Sequence, residues 1–210
     1  MEVRELAVRD AFEFLPRPFP DARGLFVAPF QEEPFVKAVG HPLRLGQSNH
    51  SNSRRGTLRG LHFADVPPGQ AKYVYCPRGA LLDLVVDLRV GSPTFGTWDA
   101  ARLDPESFRA VYLPEGVGHA FLALEDDTVI SYLCSEPYNP AVEHGINPLD
   151  PELGLPWPAE VEPLLSDKDA AAPSLASALE AGMLPSYAQC VAHYERLSAA
   201  GAGGATAARE

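Results

Sequence analysis

The sequence is poor in lysine, with three against fourteen arginines, and poor in cysteine, with Cys76, Cys134 and Cys190 alone. An odd number of thiols without a CxxC spacing argues against a disulfide framework or a zinc knuckle and suits a reducing cytoplasm. None of the six histidines (41, 50, 62, 119, 144, 193) forms a His-x-His pair or an HExxH, so a tight transition-metal site is not expected. GxGxxG, P-loop and GxSxG patterns are absent, which removes bound dinucleotide, bound ATP and a serine elbow from consideration. No apolar run approaches the roughly 18 residues of a membrane span. Glu2, Arg4, Glu5, Arg9 and Asp10 follow Met1 in place of a signal-peptide core, and a cytoplasmic protein is expected. Basic residues number 17 against 28 acidic ones, a net charge of −11. Such a surface repels a phosphate backbone, so neither nucleic acid nor membrane is an expected partner.

What is present is the composition of one globular domain: 210 residues, 46% apolar and 21% charged. Its 21 prolines and 17 glycines are scattered between short apolar runs, as in a chain of many strands and turns. The runs are Leu25–Phe30, Leu43–Gln47, Thr57–Phe63, Lys72–Cys76, Ala80–Leu88, Thr97–Leu103, Phe108–Leu113, His119–Leu124 and Thr128–Cys134. Their spacing of about ten residues predicts an all-β sandwich or barrel. Within Leu81–Arg89, Asp83, Val85, Asp87 and Arg89 alternate with leucines and Val86, as in a strand lining a polar cavity. A proline-rich wrap over Asn147–Pro163 follows, then helices over Ala172–Ala181 and Tyr187–Leu197. The expected layout is one domain over 1–197, with a helical appendage at 172–197 and a disordered Ala/Gly tail at 198–210.

The densest polar stretch runs from Gln47 to Gly56 and leads into Leu58-Arg59-Gly60-Leu61-His62-Phe63. Regular pairing would set Arg59, Leu61 and Phe63 on one face and His62 on the other, unless a bulge intervenes. His62 is either a core histidine satisfied by hydrogen bonds or a reactive imidazole. Arg59 is a surface ion pair or an anion ligand. Lys72 is a solvated lysine or a catalytic one, His119 and Tyr132 are structural or part of a site, and Ser166–Asp169 is a solvated run or part of a site.

These stretches together resemble a known family. Asp21–Phe26, Gln47–Asn49, Leu58–Phe63, Pro68–Lys72, Val86–Gly96, Leu113–Phe121 and Leu165–Asp169 occur in the order found in the dTDP-4-dehydro-6-deoxysugar epimerases. The type member is dTDP-4-dehydrorhamnose 3,5-epimerase, and the resemblance covers residues 1–190. It implies a cupin-type jelly-roll β-barrel with short C-terminal helices, a homodimer, and catalysis without metal or cofactor. It implies that His62 removes a proton next to the C4 ketone of a dTDP-4-keto-6-deoxyhexose, oriented by Asp169, with Lys72 near O4 and Tyr132 as acid. Arg23 and Arg59 are implied for the diphosphate, Phe26 and Tyr138 for thymine, and Gln47, Asn49, His119, Glu143 and Lys168 as further ligand contacts. The family often has an acid two residues after the position of Phe26, where this chain has Ala28.

The expected activity is therefore inversion at C3, C5 or both. A single-centre 3- or 5-epimerase of an antibiotic-sugar pathway is one alternative; the arginine-rich composition favours it by association with GC-rich bacterial genomes. A 3,4-ketoisomerase and a non-catalytic sugar-nucleotide-binding barrel are the others.

Overall fold

In the computed structural model, which describes residues 1–207, thirteen strands and four helices are assigned. The strands are β1 (Glu2–Glu5), β2 (Phe12–Leu15), β3 (Phe19–Asp21), β4 (Gly24–Phe26), β5 (Gln47–Ser53), β6 (Leu58–Ala64) and β7 (Lys72–Arg78). They continue with β8 (Leu81–Asp87), β9 (Trp98–Leu103), β10 (Ala110–Leu113), β11 (Val117–Ala123), β12 (Thr128–Cys134) and β13 (Glu143–Gly145). The helices are α1 (Glu32–Val39), α2 (Asp167–Ala170), α3 (Leu175–Glu180) and α4 (Tyr187–Ala207).

The all-β expectation takes the form of two antiparallel sheets face to face, one ordered β1-β2-β10-β7-β12-β5 and the other β13-β6-β11-β8-β9. Strands β3 and β4 form a separate two-stranded hairpin. The central core joins both sheets: Val74, Val111, Leu113 and Ile130 from the first meet Leu81, Val85, Leu103 and Val117 from the second. Each outer face is also apolar and is covered. Phe14, Tyr73 and Tyr112 pack under Phe35 of α1, while Leu61, Leu84 and Val86 pack under Ile146, which follows β13, Leu153 of the proline-rich wrap and Ala178 of α3. Burial on both faces explains the near-continuous apolar runs of the central strands.

Two departures from the expected elements matter. Leu43–Leu45 is not a strand; pairing begins at Gln47 and takes the polar segment Gln47–Ser53 along β12. A polar edge strand is possible because Ser48, His50 and Asn52 face solvent and Asn49 lines the cavity described below. The second departure is α4, which runs on through residues 198–207, where a disordered tail was expected. Five of these ten residues are alanine, the strongest helix former, and they carry the helix across three glycines that disfavour it. Residues 208–210 of that expected tail lie outside the described residues.

A buried network ties α4 to the body. Arg89, fully buried, donates to both carboxylate oxygens of Asp87 at 2.9 Å, to Asp10 at 3.0 Å and to the Tyr194 hydroxyl at 3.2 Å. Asp87 and Arg89 are thus structural charges, paired where unpaired ones would be costly.

Candidate functional site

The site begins with a defect in β6. On β11, two steps separate His119 from Phe121, but their partners on β6, His62 and Arg59, are three residues apart. One extra residue is therefore bulged out of β6, and Arg59 and His62 come to the same face. This overturns the regular-pairing expectation that set them on opposite faces. Gly60 makes the bulge possible. Its φ is +121°, and a Cβ there would lie 2.5 Å from the His119 carbonyl oxygen and 2.6 Å from Ala120 Cβ.

His62 and His119 are register partners on adjacent strands, and each imidazole is backed by a carboxylate. His62 Nε2 meets Asp169 Oδ1 at 2.7 Å, across 107 residues of sequence. Ser166 caps α2 by accepting the backbone N–H of Asp169, which fixes the carboxylate at the first turn of that helix. Burial works to raise the acid's pKa, but hydrogen bonds from His62, Ser166 and the Gly60 N–H outweigh it and hold Asp169 below its ordinary value. His119 Nε2 meets Asp83 Oδ1 at 2.7 Å, and Asp83 Oδ2 is buried without a partner among the described residues.

The opposite wall is the six-stranded sheet. Lys72 at the start of β7 stands opposite Cys134 of β12, which stands opposite Gln47 of β5; Tyr132 stands opposite Asn49. Lys72 is buried, which pushes its ammonium below the usual lysine value, while Cys134, Glu143 and Asp83 pull it back. Burial pushes the Tyr132 phenol up, so it keeps its proton at neutral pH. Gln47 donates to Asn49 Oδ1 at 2.5 Å and accepts from the Tyr138 N–H at 3.0 Å.

Asn49, Arg59, His62, Lys72, His119, Tyr132, Tyr138 and Glu143 surround a single cavity of about 220 Å³. It continues past Arg59, His62 and Tyr138 into a second hollow bounded by Lys168 and Asp169. Lys168 Nζ donates to Glu143 Oε1 at 3.4 Å there. Gln70 and Phe121 line the cavity as well and were not singled out in the sequence. Each lies two residues from one that was, Lys72 and His119, and strand periodicity was the available signal. Asp83 does not line the cavity itself and reaches it through His119.

Three expected contacts do not line the cavity. Gln47 reaches it only through Asn49 and the Tyr138 N–H. Arg23 is on the β3–β4 turn with its side chain 90% exposed and paired to Asp21, and Phe26 is 68% exposed. Within one copy of the chain neither lines the cavity.

The chain is similar to known proteins in sequence and in fold. The family model described as dTDP-4-dehydrorhamnose 3,5-epimerase matches residues 5–177. The chain is 54% identical over 192 residues to a dTDP-4-dehydrorhamnose 3-epimerase of Streptomyces niveus, covering 91% of this chain and 92% of that one. It is 53% identical over 197 residues to a dTDP-4-dehydrorhamnose 3,5-epimerase of Mycolicibacterium smegmatis, covering 94% and 97%. Its structure matches that of a 3'-monoepimerase from Streptomyces bikiniensis in complex with dTDP-quinovose, with a TM-score of 0.90 at 48% identity over 93% of this chain and 98% of that one. The two-sheet architecture is the cupin-like β fold of such enzymes.

Proposed function

The chain belongs to the dTDP-4-dehydrorhamnose 3,5-epimerase family, and on that premise we propose that it inverts C3, C5 or both of a dTDP-4-keto-6-deoxyhexose. The observation that carries the reading is the His62–Asp169 contact of 2.7 Å at the wall of a cavity that also holds Lys72 and Tyr132.

The C4 ketone acidifies the hydrogens on its neighbouring carbons. His62 is the base. Its Nε2–H donates to Asp169, which leaves Nδ1 unprotonated to accept the substrate proton, and the carboxylate then stabilises the imidazolium. Negative charge moves to O4, where the Lys72 ammonium meets it; one such preorganised donor typically lowers a barrier by about 3–4 kcal/mol. Tyr132, on the facing sheet, returns a proton to the opposite face of the ring. Because His62 and Tyr132 come from different sheets, the planar enolate lies between them and inversion follows from the layering.

Arg59 and Lys168 hold the diphosphate, Tyr138 stacks on the thymine, and Gln47, Asn49, His119 and Glu143 fix the sugar and nucleotide by hydrogen bonds. Arg23 and Phe26 enter the reading through a homodimer, in which the exposed hairpin of one copy reaches the cavity mouth of the other. The bare rings and leucine of that hairpin (Phe19, Leu25 and Phe26) support this arrangement.

Incubation with the 4-keto-6-deoxyglucose nucleotide in heavy water tests the chemistry. Deuterium enters at C3, C5 or both, and product NMR reads which; His62→Ala abolishes incorporation while dTDP affinity stays within about threefold. Normal exchange by that variant removes His62 as the base. No exchange by the unaltered protein leaves a binding protein, and carbonyl migration would mark a ketoisomerase.

A further inference from the structure

Lys72 sits where three strand ends converge. It begins β7, and its register partners are Leu113, the last residue of β10, and Cys134, the last residue of β12. Just beyond those ends lies a hydrogen-bonded knot that the chemistry above does not use. The Ala71 N–H donates to Ser135 Oγ at 2.8 Å, the Ser135 N–H donates back to the Ala71 carbonyl at 3.0 Å, and Ser135 Oγ donates to Glu115 Oε1 at 3.3 Å. Glu115 is only 2% exposed, and its Oε2 is buried without a partner among the described residues.

The stem of Glu115 also shapes the approach to the site. Gly69 packs directly on it: a Cβ at that position would lie 2.5 Å from Glu115 Cβ and 2.7 Å from Cγ, at a φ of +75°. The next residue, Gln70, lines the cavity and donates from Nε2 to the Glu136 carbonyl at 2.8 Å. On its other side, the Glu115 carbonyl accepts the Tyr194 hydroxyl of α4, and His193 Nε2 lies 3.8 Å from Oε1. Glu115 thus joins four parts of the fold at the base of Lys72: its carboxyl binds Ser135 just past β12, its stem packs on Gly69, and its backbone carbonyl, two residues past β10, holds the C-terminal helix.

We propose that Glu115, through Ser135 and Ala71, is a positioning residue that holds Lys72 and Gln70 in register with the substrate's C4 oxygen. This rests on the epimerase reading for what Lys72 does, but not for where Lys72 is held. A displacement of about 1 Å at a preorganised group is enough to cost on the order of 100-fold in turnover without changing ground-state binding. Glutamine at 115 can still accept from Ser135; alanine cannot.

The test compares Glu115→Ala, Ser135→Ala and Glu115→Gln in two measurements. In steady-state epimerisation, the two alanine variants lose at least about tenfold in kcat with KM within about threefold, and Glu115→Gln recovers most of the loss. In the second, the full-length protein is treated with an amine-acylating reagent and read by peptide mass spectrometry. Lys72 is labelled faster in the alanine variants than in the unaltered protein or Glu115→Gln, with exposed Lys37 and Lys168 as internal standards. Unchanged kcat, a loss confined to KM, or equal losses in Gln and Ala overturn the proposal. So does an unchanged Lys72 labelling rate, even if the unaltered protein turned over no nucleotide sugar, an outcome that would defeat the epimerase reading separately. If Glu115→Ala does not fold, Ser135→Ala decides both measurements.

Discussion

At the scale of single residues, two carboxyls are pushed in opposite directions, and stability should follow pH accordingly. Glu115 is raised from 4.5 to about 7, chiefly by burial. A folded pKa above the unfolded one favours folding at low pH, so that contribution is complete below 4.5 and disappears as pH rises through about 7. The amount is about 3 kcal/mol at 1.36 kcal/mol per tenfold change in proton affinity. Asp169 is held below its ordinary 3.8, so its contribution is present above that value and is lost as pH falls through the folded one. Urea unfolding from about pH 2 to 8 should separate them, the Glu115 change falling above 4.5 and the Asp169 change below 3.8. Glu115→Gln gains on the unaltered protein by about 3 kcal/mol across that range, whereas the deficit of Asp169→Asn narrows toward the acid end. A stability difference for Glu115→Gln that ignored pH would mean that the carboxyl does not titrate differently on folding.

At the scale of elements, the bulge in β6 carries the most consequence for the site. It turns Arg59 and His62 to one face and sets His62 directly opposite His119. Gly60→Ala forces a side chain into the His119 carbonyl, 2.5 Å away, at a backbone angle that alanine resists. The variant should lose about 2–4 kcal/mol in urea unfolding. It should also fall in kcat more than in dTDP affinity, because relieving the contact moves β6 against β11. Normal stability with normal turnover would show that a regular strand serves the site equally well.

At the scale of the whole molecule, the cavity of one chain lacks Arg23 and Phe26, and the dimer reading supplies them from a second copy. Mixing two inactive variants tests it directly. Chains carrying His62→Ala and chains carrying Arg23→Ala are unfolded together and refolded, so that mixed dimers form. If the hairpin acts across the dimer, each mixed dimer contains one intact site, and turnover returns to about a quarter of normal or less, depending on the mixing statistics. Action within one chain restores nothing, and a monomer in sedimentation would end the reading outright. The net charge of −11 also makes the mixed assembly sensitive to ionic strength, so salt is held fixed.

Much of the protein was open to reading from sequence. Apolar runs cut by proline and glycine state that the chain pairs strands, because period-2 burial and turn chemistry are local properties. The resemblance to a known family, and not the runs themselves, marked Arg59, His62, Lys72, His119 and Tyr132 as side chains of the site, because each has a structural reading when its own strand is taken alone. What only the tertiary structure decided is which strands meet. Sheet order set His62 beside His119, turned Asp83 toward that imidazole and brought Asp169 to the other across 107 residues. The polar strand β5, the bulge at Gly60 and the knot at Glu115 have no local signature. Each exists because a neighbouring strand supplies its hydrogen bonds or occupies the space that a Cβ would need, and neither quantity is written in the residues of one segment alone.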